Sequence, residues 1–599
     1  MSGPPCVRYC PAPAIADKLQ GAYSPKQTGH DMEKIWLPHY PPNVPATIDL
    51  SSHMTLKSLA EEAFVRYPNL PAFSNLGQTL SFEAVDEASR NLGAFLKSRL
   101  HLKKGDRVAI VLPNVLAYPV ALYALFRTGL VAVNCNPLYT SRELSEQLKD
   151  SGARVAIVLE NFAHTLEEAL PGTRVHTVLV SRLGDFLPLH RRVLTHLVVK
   201  YVKHLVPRYH LRNAIALSRG LEEGSRTSAG DETVEETDPA FLQYTGGTTG
   251  LPKAAVLTHQ NLIANVLQCS AMLGADLQRG TEVVITALPL YHIFALTANF
   301  LLFTYLGGHN VLITNPRDLP GFIKTLGRYR FTVLTGVNTL FNGLLRTPGF
   351  ESVDFSRLRF TLGGGAAIQR AVAQRWKQRT GHPIIEGYGL TEASPVVCVN
   401  RLDIEEYTGA VGYPMPSTEV SIRDDSGGEM AVGQAGELCV KGPQVMREYW
   451  NRPAETAAVF TSDGWLKTGD IARITPEGLV FIVDRKKDLI LVSGFNVYPN
   501  ELEDELAHLE GVREVAAVGV PDEQSGETVA LYIVPDSPHL TRETVMQFCH
   551  DHFTGYKRPR DLDHIRFAKE LPKSNIGKIL RRSLREQFQA QVTGKDALD

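Results

Sequence analysis

Residues 244–253 read YTGGTTGLPK, placing three glycines, three threonines and a lysine within ten positions. The apolar run Ala240, Phe241, Leu242 leads directly into this segment and reads as a strand. Gly246, Gly247 and Gly250 let the backbone turn tightly and bring its N–H groups against an anion. Thr245, Thr248 and Thr249 add hydroxyl donors, and Lys253 adds a mobile positive charge, a combination that suits a polyphosphate. The Walker loop is excluded, because Gly250 is followed by Leu-Pro-Lys-Ala rather than by Lys and Ser or Thr. Alone, the stretch also reads as an ordinary Gly/Thr-rich surface turn. The segments around it decide between the two.

Outward from this loop, strand-like apolar runs alternate with helical stretches through much of 55–400. Examples are RVAIVLP at 107–113, PVALYALFRTG at 119–129, LVAVNCN at 130–136 and ARVAIVL at 153–159. That rhythm predicts crossovers on a largely parallel sheet. After about residue 405 the texture changes to short runs punctuated by Gly and Pro, such as STEVSIRD, GELCVKG and GLVFIVD, which predict a smaller β-rich subdomain. From about residue 485 helical and strand-like runs alternate again. The expected fold class is α/β. A large N-terminal domain over 32–484 combines parallel-sheet subdomains with the β-rich one, and a small α+β C-terminal domain covers 485–599. Residues 1–31, rich in Pro, Gly and Ser, are expected to be a disordered and dispensable extension.

The chain has 599 residues, too many for one core, so several domains are expected. A net charge of −2 gives no global attraction to nucleic acid. Seven scattered cysteines with no CxxC pair fit free thiols in a reducing, cytoplasmic compartment. No secretory signal is visible. Residues 283–316 lack Asp, Glu, Lys and Arg, long enough to cross a bilayer. However, Pro289, Tyr291, His292, Asn299, Gly307 and Gly308 interrupt the stretch, and strand–helix–strand is the better account. The segment 186–212 stands apart. From Arg182 to Arg212 there are seven Lys/Arg and one acid, Asp185. On a helix between Pro188 and Pro207, Arg192, His196, Lys200 and Lys203 form one stripe. Leu194, Leu197, Val198, Tyr201, Val202 and Leu205 cover the other side. Such a helix suits either a membrane interface, as a peripheral contact with the inner leaflet, or a surface packed on the core with a solvated basic edge.

Three further segments accompany the opening loop: EGYGLTE (386–392), WLKTGD (465–470) and DRKKDLILVSGFNVYPNELE (484–503), with PKSNIGKILRR (572–582) near the end. In order and content they resemble the acyl-adenylate-forming superfamily over roughly residues 35–590. Within it, LPLYHIFALT (288–297), VKGPQVM (440–446) and the basic insert look most like bacterial long-chain fatty-acyl-CoA ligases.

The resemblance implies ATP and CoA as co-substrates, a fatty acid as acyl donor and Mg²⁺ as cofactor. A carboxylate, a poor electrophile, would be converted to an acyl-AMP anhydride, from which a thiol displaces AMP. It also implies the residue roles. Thr245–Lys253 grips the departing phosphates. Tyr388 stacks on adenine beside Gly364, Gly365 and Gly387, Thr391 contacts the α-phosphate, and Asp470 with Arg485 takes the ribose. Glu392, with Thr245, holds the metal. Lys578 bridges carboxylate and α-phosphate, a preorganised charge worth roughly 10²–10³ in rate. His292 flanks the acyl carboxylate. Lys487 is the hinge of a mobile C-terminal domain, whose Ser493-Gly494-Phe495 loop meets CoA after rotation. Gly246 and Ala254 depart from the usual Ser and Gly, which leaves the phosphate contacts open. A ligase that loads a carrier protein and a non-catalytic, membrane-associated fatty-acid uptake protein are the alternatives. Oligomeric state and acyl chain length stay open.

Overall fold

The computed structural model describes residues 34–52, 54–228, 230, 232–245, 252–273, 277–574 and 577–592. The N-terminal extension and the core of the opening loop, Gly246, Gly247, Thr248, Thr249 and Gly250, lie outside the described residues. Lys34–Asp599 forms one compact unit by its contacts.

Alternation of strand and helix builds two parallel-centred sheets, as the rhythm predicted. In the first, Arg107–Val111 pairs in parallel with Val131–Asn134 on one side and Val155–Leu159 on the other. The crossover between the first two is the helix Ala117–Arg127, almost wholly buried. The next helix, Ser141–Ser151, shows why this chain turns helical where it does. Thr140 and Glu143 close a capping box, Leu144 and Leu148 fall on one buried face, and Gly152 ends it in the left-handed region at φ +61°. The sheet continues through Pro239–Thr245 and then Lys253–Thr258, which run antiparallel and close the hairpin that carries the opening loop. Ala254 lies in that regular pairing, opposite Tyr244, and is not among the positive-φ residues, so its extra Cβ is harmless.

The second sheet has Val283–Thr286 at its centre, parallel to His309–Leu312 and Val333–Gly336, followed by Phe360–Gly363 and Ile384–Gly389. The uncharged stretch 283–316 is therefore strand, buried helix and strand. Among the described residues no helix is long and apolar enough to cross a membrane. Ile285, Val311, Phe322, Leu334, Phe341 and Trp376 pack one side of this sheet.

Beyond residue 415 pairing is mainly antiparallel, with Ile565–Phe567 joining Gly526–Pro535 in parallel. Glu419–Arg423, Gly436–Lys441, Leu466–Ile474 and Val480–Arg485 make a four-stranded sheet. Five residues after Arg485 the chain enters a different sheet, built on the long hairpin Val512–Asp522 and Gly526–Pro535. That sheet has cores on both faces, one around Leu502, Leu531 and Val545, the other around Val518, Tyr532 and Leu584. The result is a large N-terminal domain and a smaller C-terminal one. The five described cysteines, Cys135, Cys269, Cys398, Cys439 and Cys549, are buried free thiols.

Candidate active site

Side chains from the second parallel sheet and from the antiparallel sheet meet at one cleft. From the antiparallel sheet, Asp470 and Arg485 lie opposite each other in register. The Arg485 Nε stands 3.3 Å from Asp470 Oδ1. Asp470 Oδ2 accepts the Tyr388 hydroxyl at 2.6 Å. Tyr388 sits on Ile384–Gly389 in the other sheet, so this bond ties two layers together across 82 positions of sequence. Burial first, and the Asp470 carboxylate second, push the Tyr388 phenol well above its ordinary range. An opening of about 330 Å³ lies against Thr468, Gly469, Asp470, Arg485, Lys486 and Lys487.

Gly364 is tightly enclosed: a Cβ would sit 3.0 Å from the Gly387 carbonyl oxygen and 3.2 Å from the Phe294 ring, and both would have to give way. Gly365 holds φ +75°. Gly387 is different, since a Cβ there would make only ordinary contacts, the nearest at 3.6 Å. Packing inside the protein does not require that glycine.

Glu392 lies in a short helical turn, Thr391–Ala393, and its Oε1 accepts the Tyr449 hydroxyl at 2.6 Å. The Glu392 carbonyl accepts Met446 N–H at 2.7 Å. Tyr449 pairs with Ala255 on the hairpin strand, and the Lys253 ammonium stands 5.3 Å from the centre of its ring. Thr245 pairs with Lys253 at the mouth of the same hairpin. One tyrosine thus holds both the acid and the base beside the opening loop. In the sequence Tyr449 carries only one signal, an aromatic in MREYW, shortly after VKGPQVM.

The smaller domain delivers Lys578 to this cleft. Its charge is felt by His292, whose imidazole is lowered to about 4 by burial and then by that ammonium. His292 Nδ1 accepts the Phe294 N–H at 3.3 Å. The ring is therefore neutral at pH 7 with its proton on Nε2. Lys578 itself is lowered to about 7, mainly by burial and then by Arg485, with Asp470 pulling the other way. The lysine loop is fixed from both sides. Gly577, at φ +80°, places its carbonyl 3.4 Å from the Thr339 hydroxyl of the large domain. Behind it, buried Arg581 binds Glu503, with Nη2 to Oε2 at 2.8 Å, and Asn500 Oδ1 at 2.7 Å. Arg346 with Asp536, and the Arg370 N–H on Asp504 Oδ1 at 3.2 Å, complete the seam.

Not every predicted residue converges. Ser493 and Gly494, at φ +50° and +85°, form the two-residue turn of a hairpin between Ile490–Val492 and Phe495–Val497. Phe495 is exposed and stacks on Tyr556 at 4.9 Å, within the small domain. Lys487 lies in the turn between the two sheets, its ammonium lowered by burial and then by Arg485. The neighbouring Lys486 bonds Glu437 and Asp425 of the large domain.

Residues 60–450 match the AMP-binding enzyme family, and 501–578 match the AMP-binding enzyme C-terminal domain. The chain belongs to the AMP-binding enzyme family. This AMP-binding enzyme is 53% identical to the long-chain-fatty-acid–CoA ligase of Salmonella typhimurium, over 94% of this chain and 100% of that one. It is 51% identical to the ligase of the same name from Escherichia coli O157:H7, with the same coverage. Among solved structures, ATP-bound MatB from Rhodopseudomonas palustris superposes with a TM-score of 0.76 at 27% identity, covering 90% of this chain and 99% of that one.

Proposed function

We propose that this enzyme activates medium- to long-chain fatty acids to acyl-CoA through an acyl-AMP intermediate. The placement of the Lys578 ammonium in one cleft with Asp470, Arg485 and His292, in a relative of long-chain-fatty-acid–CoA ligases, carries this reading. In the first step a carboxylate oxygen of the acid forms a bond to the α-phosphorus of ATP, and the bond from that phosphorus to the bridging oxygen breaks. Pyrophosphate leaves. Two anions must approach each other, so protein charge aimed at the reacting centre is what lowers the barrier. Lys578 supplies it from the C-terminal segment, and Arg485 from the end of the strand Val480–Arg485 that pairs with the strand of Asp470. Neutral His292 donates from Nε2 without adding an acidic proton. In the second step the CoA sulfur bonds the acyl carbon, the carbon–oxygen bond to AMP breaks, and AMP leaves.

The residue roles belong to the same proposal. Asp470 with Arg485 takes the ribose hydroxyls, and Tyr388, hydrogen-bonded to Asp470, stacks on adenine beside Gly364, Gly365 and Gly387. Thr245, Lys253 and Thr391 flank the phosphate path, and the hairpin Ser493–Phe495 meets CoA after the small domain turns about Lys487. The domains on this reading are 32–484 and 485–599, with 1–31 as an extension.

Mg²⁺ fits the site in one way. No cluster of three or more His, Cys, Asp or Glu capable of holding a metal exists among the described residues. The lone carboxylate of Glu392, oriented by Tyr449, matches an ion held mainly by water and substrate phosphates. When bound, such an ion supplies charge neutralisation at the phosphates.

The enzyme on this reading works in the cytoplasm, at the surface of the inner membrane. The deciding experiment is AMP release by the purified chain given ATP, magnesium and CoA, across acids from butyrate to stearate. The expected result is a maximum at medium or long chains; no release with any acid would overturn the proposal.

A further inference from the structure

The basic insert is an amphipathic helix mounted inside out. Leu189–Leu197 is α-helical and Val198–Val202 closes as a π-turn, with Lys203 N–H on the Val198 carbonyl at 2.8 Å. Its polar side faces the protein. Arg191 donates to the Leu76 and Gly77 carbonyls at 2.7 and 3.2 Å, and Arg192 donates to the Ser218 hydroxyl at 3.2 Å. His196 reaches buried Glu160 at 3.6 Å. Its apolar side faces solvent: Leu189, Val193, Leu194, Leu197, Tyr201, Val202 and Leu205 are each between 47% and 76% exposed. The packed-on-core alternative for this helix is therefore overturned, because Glu160, Asp185, Ser218 and the 76–77 turn offer partners to the cations rather than to the leucines.

On a regular helix a stripe at every fourth residue drifts by about 40° per step. The π-turn takes in one more residue and turns that drift back, so Leu189, Val193, Leu197 and Tyr201 share one face. Between the helix and the body lies a cavity of about 140 Å³, which the half-exposed Val193 and Leu197 line in part, beside Leu183 and Val199. The helix is held to the body by polar bonds, not by a packed core.

We propose that this face docks into an anionic lipid bilayer, placing the enzyme where its acyl substrate is dissolved. The charge pattern selects that occupant. Lys203, Arg208 and Arg212 are exposed and Lys200 is half-exposed beside the apolar stripe, with no acid between residues 186 and 221. A second copy of this chain on a two-fold axis would bring these same cations face to face with nothing to neutralise them. A leaflet with anionic headgroups neutralises them while its acyl region takes the leucines. The inference rests on the proposed fatty-acid activation for its purpose, but its geometry stands apart from it.

Full-length protein sedimented with vesicles of phosphatidylethanolamine and phosphatidylglycerol tests this, with phosphatidylcholine vesicles as the comparison. Native protein is expected to favour the anionic vesicles. The variant Leu194→Ser with Leu197→Ser and Tyr201→Ser, all exposed positions, is expected to stay in the supernatant. Lys200→Glu with Lys203→Glu is expected to lose roughly 30-fold in partition, about fivefold per cation. Both variants should turn over soluble decanoate as native protein does, with KM raised only for oleate presented in vesicles. Vesicle binding unchanged in both variants overturns the proposal. So does a native dimer that the triple variant converts to monomer with vesicle binding intact. Failure of native protein to release AMP from decanoate overturns the activation reading instead and leaves vesicle binding to be judged on its own.

Discussion

Replacing Lys578 by alanine should separate the two half-reactions, and the structure says by how much and at what pH. Burial, with Arg485 next, lowers this ammonium from 10.5 to about 7. A depression of that size corresponds to about 5 kcal/mol of charging cost for the buried ammonium. At pH 8 roughly a tenth of the molecules with the small domain closed carry the proton. A triphosphate and a carboxylate entering the cleft bring the negative charge that restores it. Binding a non-hydrolysable ATP analogue with a fatty acid at pH 8 should therefore take up close to one proton, and Lys578→Ala should abolish that uptake. Calorimetry in two buffers of different ionisation enthalpy reads it directly. The same variant should lose roughly 10²–10³ in acid-dependent pyrophosphate exchange, about 3–4 kcal/mol of transition-state stabilisation. Thioester formation from supplied acyl-AMP should change little. The sign in pH follows, because the lysine is charged below its folded value. In native enzyme kcat/KM for adenylation should fall as pH rises through about 7, and Lys578→Arg should remove that limb because a guanidinium stays charged. Equal loss in both half-reactions, or the same proton uptake in Lys578→Ala as in native protein, would refute the reasoning.

Tyr449→Phe removes a hydrogen bond to a carboxylate, a contact worth about 1.5–3 kcal/mol, so the magnesium concentration for half-maximal activity should rise roughly ten- to a hundredfold; an unchanged magnesium titration would contradict the role of Glu392. Gly577→Ala puts a Cβ 2.3 Å from the Thr339 hydroxyl on a residue at φ +80°, which should push the small domain off the cleft. Pyrophosphate exchange should drop at least tenfold, with thioester formation from acyl-AMP retained, and Thr339→Ala should recover part of the loss. The Glu386 carboxyl is raised to about 8, by burial first and Asp504 further down, and its Oε2 has no hydrogen-bond partner. The folded state keeps a proton that the unfolded chain releases near its ordinary 4.5, so stability falls as pH rises from about 4.5 to about 8, by at most about 1.4 kcal/mol per unit. Glu386→Gln should unfold at a higher temperature than native protein at pH 8 and at a similar one at pH 5; matching differences at both would refute this.

What the sequence could carry was whatever is local or periodic. Apolar runs near 107, 130 and 153 named their own strands. The motifs near 386, 465 and 578 named Tyr388, Asp470 and Lys578, which the fold gathers in one cleft. Tyr449 escaped because its meaning lies in a carboxylate 57 positions away, and one aromatic among many gives no spacing to read. The insert at 186–212 marks the sharper limit. Periodicity divides a helix into two faces but does not say which one the body will take. That choice belongs to the other surface: a body offering leucine-sized hollows would have buried the apolar stripe and left the cations in water. This body instead offers Glu160 to His196, Asp185 and the Ser218 hydroxyl to Arg192, and two carbonyls at a hairpin tip to Arg191, and so takes the basic side. The same logic governs the small domain. Its sequence supplies both Lys578 and the Ser493–Phe495 hairpin, and the lysine is the one turned inward because Thr339, Arg346 and Arg370 of the large domain meet Gly577, Asp536 and Asp504. A charge reversal at Arg346 should therefore act on the balance between the two half-reactions without touching either set of reacting groups.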